Sequence, residues 1–420
     1  MSKNQKVVVV GQGYVGLPLA ILASSRYKVV GFDTALAKIE ALNSGVSESP
    51  DVSPFELGAA LRTGQYRATS EIDEIFDFDI CVITVPTPLR GDEPDLSHVE
   101  EAAQAIGPRI KNGSTVILES TSYPGTTDEL VLPILEKTSG KKCGSDFFLG
   151  YSPERIDPGN KQWSLQNVPK IVSGVDVESF RRVRNFYRNI GVTTVDSTGT
   201  REAEMAKLLE NTFRHLNIAL VNDLLRLSKH VRTNIWEAVD LASTKPFGFM
   251  RFTPGPGVGG HCLPVDPSYL SWALEQQTGE KFRLVATANS INDSMPSFVV
   301  SRLKELLAER PAGEKSEPVK LLLVGLAYKA GTGDVRDSPG LAVAALLRED
   351  FNVVYGFDSL VPSRLWPDGV VAVDAGSKVA FDVGIVLTHQ PPSVMEWVSG
   401  ACGLVLDTQN SLSGDNVVLL

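Results

Sequence analysis

Cys262 lies in a glycine-rich segment, PGPGVGGHCLPVDP, at positions 254–267. The four glycines before it let the backbone approach a ligand closely, and Asp266 supplies a carboxylate that can handle a proton. Because the thiolate is the nucleophilic form of cysteine, this residue could attack an electrophilic carbon. The spacing alone leaves a small buried thiol in a glycine turn as an equal alternative. His261 is a secondary candidate base, since adjacent side chains usually point apart.

A second chemical signal is the hexapeptide GQGYVG near the start of the chain. It places Gly11, Gly13 and Gly16 at GxGxxG spacing, between a β-branched run at 6–10 and a predicted apolar helix. Asp33 follows about 20 residues later, where a carboxylate can hold the ribose 2′-hydroxyl of a dinucleotide. That carboxylate would repel a 2′-phosphate, which favours NAD over NADP. A nucleophilic cysteine in a chain that binds nicotinamide indicates oxidation of an aldehyde through a thioester.

Further polar residues stand where a parallel sheet or a helix could present them. Lys207 and Asn211 are four apart in a predicted helix and share a face, so they could stabilise an oxyanion and orient a water. Polar pairs of this spacing are also common on solvated helix faces. Glu154 and Thr121 each follow a predicted strand, at the sheet edge where α/β sites gather. A lone loop residue of this kind more often caps an element or is solvated.

Strands that alternate with helices predict an α/β fold built on a doubly wound parallel sheet. The C-terminal part repeats the pattern, with a strand at 320–324, a helix at 340–347 and a strand that ends at Asp358. There DVGIVLTHQP and GLVLDTQN echo DICVITVPTP and TVILESTS of the first half. The second copy replaces the glycine fingerprint by a segment with Lys329 and Arg336. We therefore expect two doubly wound Rossmann-like parallel-sheet domains, the second of which binds an anion.

A long central helical region is expected to join the two sheets. Residues 200–243 contain neither Gly nor Pro, and a helix beyond about 25 residues usually spans domains or builds a subunit interface. We therefore expect a homo-oligomer formed through this helix. The segment GEKSEP at 313–318 is the predicted linker. The predicted domains are 1–199 for the dinucleotide, 200–312 for the helical region with the cysteine loop, and 313–420 for the second sheet.

Composition excludes several classes of function. A net charge of −10 over 420 residues argues against nucleic acid or an anionic membrane as partner, although a basic pocket could still bind an anion. No secretory signal and no run of about 18 apolar residues is present, so a cytoplasmic location without membrane partner is expected. The four cysteines lack CxxC spacing, which predicts a reduced protein without a metal site. Cys81 is a predicted core residue, whereas Cys143 and Cys402 carry no chemical signal.

Taken together, the motifs resemble the UDP-glucose/GDP-mannose dehydrogenase family. They are GxGYVGLPLA, SPERIDPG, the KLLEN helix and GGHCLPVD, and GLAYKAGTGDVRDSPG is similar to the family's nucleotide-sugar-binding signature. The resemblance covers essentially the whole chain. It implies oxidation of C6 of a nucleotide-linked hexose from alcohol to carboxylate with two NAD. Cys262 would hold the aldehyde as a thiohemiacetal and then carry the thioester that water hydrolyses.

The resemblance also implies roles for individual residues. Lys207 and Asn211 would stabilise the oxyanions, Asp266 and Thr121 would position or deprotonate the water, and Glu154 would assist acid–base work. The implied cofactor contacts are Gly11, Gly13, Tyr14, Val15, Gly16, Asp33, Lys38, Pro86, Thr87, Thr121 and Arg336. The implied substrate contacts are Glu154, Arg155, Lys207, Asn211, Phe249, Arg251, Phe252, Gly255, Gly259 and Lys329, the last of these for the diphosphate.

One departure bears on the sugar. Family members that act on glucose commonly carry a second glutamate four residues after the one that matches Glu154, and here that position is Pro158. The SPERxxPG form and FGFMRFTPGPGVGGHC are similar to the UDP-N-acetylhexosamine branch. UDP-N-acetylglucosamine or its manno epimer is therefore favoured over UDP-glucose or dTDP-glucose. A one-step β-hydroxyacid-type dehydrogenase and a non-catalytic nucleotide-sugar-binding regulator are the alternatives.

Overall fold

The structure is a computed structural model that describes residues 5–47, 49–91, 93–157, 160, 162–310, 319–351 and 353–420. The predicted linker at 313–318 and Pro158 lie outside the described residues. The chain divides into two compact units. The N-terminal unit comprises Met1–Glu210 and Ser268–Glu280, and the C-terminal unit comprises Asn211–Pro267 and Lys281–Leu420. Each unit is described by itself.

The elements alternate as the sequence predicts. The strands are β1 (Lys6–Val10), β2 (Lys28–Phe32), β3 (Tyr66–Thr69), β4 (Phe78–Ile83), β5 (Leu89–Arg90), β6 (Glu93–Pro94), β7 (Ile110–Leu118), β8 (Phe147–Tyr151), β9 (Lys170–Val172), β10 (Thr194–Asp196), β11 (Leu321–Val324), β12 (Val354–Phe357), β13 (Val370–Ala372), β14 (Phe381–Val386), β15 (Cys402–Asp407) and β16 (Val417–Leu419). The helices are α1 (Gly16–Ser24), α2 (Leu36–Asn43), α3 (Pro54–Arg62), α4 (Ser97–Ile106), α5 (Leu132–Ser139), α6 (Val177–Asn189), α7 (Thr200–Ser228), α8 (Ile235–Ser243), α9 (Asp266–Thr278), α10 (Arg283–Glu309), α11 (Pro339–Asp350) and α12 (Pro392–Ala401).

The sheet of the N-terminal unit is parallel throughout, in the order β3-β2-β1-β4-β7-β8. Its central strand buries Val7, Val8 and Val9 completely. Continuous apolar strands are expected when helices cover both faces of a parallel sheet. Cys81 is fully buried within β4, which confirms its prediction as a core residue.

The sheet of the C-terminal unit has the same topology, in the order β13-β12-β11-β14-β15-β16 and again parallel. The match extends to single hydrogen bonds. Gly11 N–H donates to the carbonyl of Phe32 at 2.8 Å, and Gly325 N–H donates to the carbonyl of Phe357 at 2.9 Å. These findings confirm the predicted pair of doubly wound sheets and their internal duplication.

Asp358 occupies the position in the second sheet that Asp33 occupies in the first, one residue after the second strand. Its Oδ2 accepts the backbone N–H groups of Leu326 and Ala327 at 2.7 and 3.2 Å. Its Oδ1 accepts those of Leu360 and Val361 at 2.8 and 2.9 Å. All four contacts come from the main chain, so the carboxylate holds the loops at this corner together.

The central helical region differs from the prediction of one helix over 200–243. The helix α7 ends at Ser228, and a separate helix α8 begins at Ile235. Between them Arg232 has a φ of +54°, a left-handed conformation that cannot continue an α-helix. Asn234 then caps α8 by accepting the N–H groups of Trp236 and Glu237. The division between the two units falls within α7, after Glu210, and the predicted three-domain boundaries stay a prediction.

Candidate functional site

The loop after β1 has the sterics of a phosphate-binding turn. Gly11 has a φ of +91°, and a Cβ there would lie 2.6 Å from the carbonyl oxygen of Thr84. A Cβ on Gly16 would lie 1.9 Å from the carbonyl oxygen of Gly11, so the helix α1 packs directly on the turn. A Cβ on Gly13 would meet no atom within 4 Å. The loop is therefore tight at both ends and open in the middle, where a pyrophosphate would approach the helix N-terminus.

Asp33 stands on the wall of a cavity of about 430 Å³ beside this loop. Its Oδ2 accepts the Gln12 N–H at 2.9 Å and the Lys38 ammonium at 3.0 Å, and its Oδ1 accepts the Ala35 N–H at 3.0 Å. Burial alone would raise the pKa of Asp33, but these hydrogen bonds hold it below its ordinary value. The carboxylate is thus ionised at neutral pH and can accept the hydroxyls of a ribose.

The cavity gathers part of the predicted cofactor set. Its lining includes Gly11, Asp33, Lys38 and Pro86. The adjoining loop contains Gly13, Tyr14, Val15 and Gly16. Thr87 is buried and does not line the cavity. Its remaining lining residues are Val10, Phe32, Thr34, Ile72, Val85, His98, Glu101, Ala102 and Ala105. Val10, Phe32 and Thr34 flank the glycine loop and Asp33. The others lie after β4, on a 3₁₀ turn at Ile72–Ile75 and on α4, where no local pattern singles them out. A largely apolar lining with one ionised carboxylate on its wall suits an adenine and its ribose.

The cysteine loop belongs to the C-terminal unit. Cys262 is exposed, and its carbonyl accepts the N–H of Asp266 at 2.9 Å. Asp266 is itself buried at the start of α9, and its Oδ2 lies 2.5 Å from the side-chain nitrogen of Asn211. Three of the predicted catalytic residues therefore belong to one arrangement: an accessible thiol, a buried carboxylate and an amide that orients it.

The loop that carries Arg336 packs against this segment. A Cβ on Gly260 would lie 2.7 Å from the ring of Tyr328, and the Gly260 N–H donates to the Arg336 carbonyl at 2.9 Å. Arg336 itself pairs with Asp334. Burial lowers the pKa of His261, helped by the charge of Arg336, so this imidazole is neutral at pH 7. The predicted contact of Arg336 with the cofactor stays a prediction, since the dinucleotide cavity is formed by the other unit.

A second cavity, of about 520 Å³, lies in the C-terminal unit. Arg214, Arg251 and Lys329 line it, no Asp or Glu stands among its lining residues in the described chain, and Gly340 contributes the N-terminal turn of α11. Cations and a helix N-terminus both favour an anion. The other lining residues are Ile218, Phe252, Thr253, Pro254, Gly255, Pro256, Gly257, Tyr328, Ala330, Pro339, Leu387, Thr388, His389 and Gln409.

The structure brings Arg251, Phe252, Gly255 and Lys329, four of the predicted substrate contacts, together on this cavity. Phe249, by contrast, is exposed and Gly259 packs against the backbone of Asp337, so neither lines it. Sequence reasoning missed Arg214, His389 and Gln409. Arg214 lies three residues after Asn211 on α7, and this helical spacing is the one signal that could have found it.

The remaining predicted residues lie in the N-terminal unit. Lys207 on α7 is only 7% exposed, as is Asn211, so neither stands on a solvated helix face. Glu154 is buried three residues after β8, and its Oε1 accepts the N–H groups of Arg155 and Ile156. Arg155 pairs with Glu210 of α7 at 2.6 Å. Thr121 follows β7 in the loop that ends at the π-helical turn Thr126–Val131.

The described residues contain neither a metal-ligand cluster nor a membrane-spanning helix. No group of three or more His, Cys, Asp or Glu residues is placed to hold a metal ion there. Among the helices that the structure describes, none is both long enough and apolar enough to cross a bilayer.

Comparison with known families matches residues 5–191 to the NAD binding domain of the UDP-glucose/GDP-mannose dehydrogenase family and residues 201–294 to its central domain. The chain belongs to this family. It is an NAD-dependent nucleotide-sugar dehydrogenase, which confirms the fold class, the enzyme class and the cofactor predicted from the motifs.

Individual members of the family are similar over nearly their full length. A UDP-N-acetyl-D-mannosamine dehydrogenase from Pyrococcus horikoshii is 38% identical, with 85% of this chain and 84% of the relative aligned. A UDP-N-acetyl-D-glucosamine 6-dehydrogenase from Pseudomonas aeruginosa is 36% identical, with 92% and 90% aligned. The solved structure of a UDP-D-ManNAc dehydrogenase from Pyrococcus horikoshii superposes with a TM-score of 0.88 at 33% identity, covering 99% of this chain and 98% of that one.

Proposed function

We propose that this dehydrogenase oxidises C6 of UDP-N-acetylglucosamine or UDP-N-acetylmannosamine to the carboxylate, giving a UDP-hexosaminuronate for surface polysaccharide or glycoconjugate synthesis. The observation that carries the proposal is the basic cavity, which the C-terminal unit forms from the same segment that leads into Cys262. Its cations suit a sugar diphosphate. The choice of sugar is supported by two relatives, one named for UDP-N-acetylmannosamine and the other for UDP-N-acetylglucosamine.

Bound NAD would accept one hydride in each of the two oxidations. At the aldehyde level the Cys262 thiolate would attack C6 and form a thiohemiacetal, whose oxidation leaves a thioester on Sγ. Asp266, buried and oriented by Asn211, would take a proton from the water that hydrolyses this thioester. The Asn211 amide would also donate to the oxyanion. Hydrolysis releases the carboxylate and returns the thiol.

The residues of the N-terminal unit have complementary proposed roles. Lys207 is a nearly buried cation, and in surroundings of low dielectric its charge would stabilise an oxyanion more strongly than a solvated lysine could. Glu154 would assist acid–base work or place the water, with Thr121 holding that water near the cofactor. Arg155, fixed by Glu210, would keep the Glu154 loop in place.

The proposed function is tested by a substrate panel with NAD: UDP-N-acetylglucosamine, UDP-N-acetylmannosamine, UDP-glucose, dTDP-glucose and GDP-mannose. We expect two NADH per uronate and the highest kcat/KM with one of the two N-acetylhexosamines. One NADH per substrate would support a one-step β-hydroxyacid-type dehydrogenase instead. Binding without turnover on every sugar would support a nucleotide-sugar-binding regulator.

The position of Asp33 predicts a defined cofactor defect. The Asp33→Ala variant should lose roughly 10- to 100-fold in kcat/KM for NAD, because a hydrogen bond to a charged group contributes roughly 1.5–3 kcal/mol. It should also gain activity with NADP, since Lys38 loses its carboxylate partner and can pair with a 2′-phosphate. Initial rates with both cofactors measure this. Asp73→Ala, at an exposed carboxylate of the same unit, is the control, and an unchanged preference in Asp33→Ala would contradict the role.

The exposed face of α7 supports the prediction of a homo-oligomer. Phe213, Leu220, Leu224 and Leu227 recur at helical spacing and are each 43–55% exposed in the single chain. Leu220→Lys with Leu224→Lys should lower the native mass by light scattering, whereas Leu241→Lys on α8 should not. An unchanged mass would remove α7 as the interface. The cytoplasmic location and the absence of nucleic-acid and membrane partners stay predictions.

A further inference from the structure

Four ionisable side chains from four elements of the N-terminal unit meet in its interior. Glu119 follows β7, Glu154 follows β8, Lys170 begins β9, and Tyr187 lies on α6. Lys170 is 3% exposed and Glu119 1%. Lys and Glu are almost never buried to this extent unless they are paired. We call these four residues the Lys170 cluster.

The contacts within the cluster run from Lys170 to both acids. Its Nζ lies 3.0 Å from Glu119 Oε1 and 3.7 Å from Glu154 Oε2, and it donates to the Pro153 carbonyl at 3.1 Å. The Tyr187 hydroxyl donates to Glu119 Oε1, and its ring faces the same ammonium at 5.1 Å. An ammonium has three protons. Glu119 and Pro153 are within hydrogen-bonding distance of the ammonium, whereas Glu154 Oε2 is at the distance of an ion pair.

The two oxygens of Glu154 have different surroundings, because Oε1 accepts hydrogen bonds whereas Oε2 is buried without a hydrogen-bond partner, 3.7 Å from Lys170 Nζ. Its Oε1 accepts the backbone N–H groups of Arg155 and Ile156, so its Oε2 is the atom that faces Lys170. The neighbouring cation, Arg155, is engaged by Glu210 instead. Lys170 is therefore the cation that acts on the free end of the Glu154 carboxylate, and Glu119 competes for it.

We propose that Lys170 and Glu119 are positioning residues that set the orientation and the charge of Glu154 during turnover. The charge of Lys170 attracts Oε2, 3.7 Å away, whereas the like charge of Glu119 repels the Glu154 carboxylate. This inference rests on the proposed function, in which Glu154 does acid–base work or places the water. Burial raises the pKa of Glu119, although the charge of Lys170 opposes the rise.

The test is the pH profile of kcat in two variants. They should move its acid limb, the pH range over which kcat rises from low pH, in opposite directions. In Glu119→Gln the like charge is lost, so the acid limb should move down by about one pH unit. In the double variant Lys170→Met/Glu119→Gln the ammonium is lost as well, and the limb should move above the wild-type position while kcat falls at least tenfold. The double variant is used because Lys170→Met alone would leave Glu119 buried and unpaired, which could prevent folding.

Controls separate this effect from a general loss of structure. The acid limb of the kcat profile must disappear in Glu154→Gln, and its disappearance would assign the limb to Glu154. Lys111→Met/Asp79→Asn removes a partly exposed ion pair of the same unit and should leave the limb in place. Thermal unfolding and NAD titration should show that each variant folds and binds, with KM for both substrates within about twofold of the wild type.

Two outcomes would overturn the inference: a limb that stays in place in both variants, or a limb that persists in Glu154→Gln. Either result with an active wild type leaves the proposed function standing. Failure of the wild type on every nucleotide sugar would remove the proposed function itself, and this is seen before any variant is made.

Discussion

Replacement of Cys262 by serine is expected to reduce uronate formation by at least about a thousandfold, since a protonated hydroxyl is a poor nucleophile where a thiolate attacks. Aldehyde- or ester-level material should accumulate, because the loss falls on the covalent half of the reaction. Mass spectrometry of the nucleotide-sugar products measures both effects. Normal uronate production by the serine variant would refute the thioester mechanism.

The other cysteines provide matched controls for this result. Cys81 and Cys402 are buried, and Cys143 is half-buried. Burial raises the pKa of Cys143 to about 11 and that of Cys402 to about 12, so neither is a thiolate at neutral pH. Cys143→Ser should therefore keep full activity. Alkylation by iodoacetamide should modify Cys262 first, with activity lost in proportion.

Asp266→Asn is expected to lower kcat by about 100- to 1000-fold, the usual contribution of a positioned acid–base group. The substitution keeps the shape but removes the charge that orients the Asn211 amide at 2.5 Å. One of the two side-chain amides, that of Asn211 or the new one at position 266, must also rotate by about 180° to keep a hydrogen bond between them. Because thioester hydrolysis is the step affected, the variant should accumulate acylated enzyme, which intact-protein mass spectrometry detects.

Asp293→Asn is the matched control for this variant, because it makes the same change at an exposed position on α10 of the same unit. It should leave kcat unchanged. If Asp266→Asn lowers kcat without acylated enzyme, Asp266 acts before the thioester and not in its hydrolysis. If kcat does not change at all, Asp266 has no part in the chemistry.

The features that the sequence predicts well are those carried by short-range patterns. The glycine loop with Asp33 and the paired sheets each follow from motifs whose members are close in sequence or repeat at a fixed period. Buried parallel strands contribute long apolar runs, which are readily recognised. The roles of the individual site residues stay predictions.

What the sequence does not predict depends on contacts between distant segments. His389 and Gln409 reach the basic cavity from the ends of strands in the second sheet. They lie in the repeated segments DVGIVLTHQP and GLVLDTQN, which indicate strands but do not mark either residue as a ligand. Glu119 and Lys170 lie in ordinary strand contexts, 51 positions apart, and only folding makes them partners. The end of α7 at Ser228 is also missed, because the stretch has no Gly or Pro and the break depends on the single left-handed residue Arg232.

The hydrogen bonds of Asp358 have a consequence for engineering. If the GQGYVG loop were transplanted into the second sheet, Asp358 would already occupy the position equivalent to Asp33. That acid is already saturated by four main-chain N–H groups, whereas Asp33 gives part of its capacity to a movable lysine side chain. The two sheets therefore differ in whether the carboxylate after their second strand, Asp33 or Asp358, is available to a ligand. A second cofactor site would require rebuilding the turn after Asp358 as well as the glycine loop.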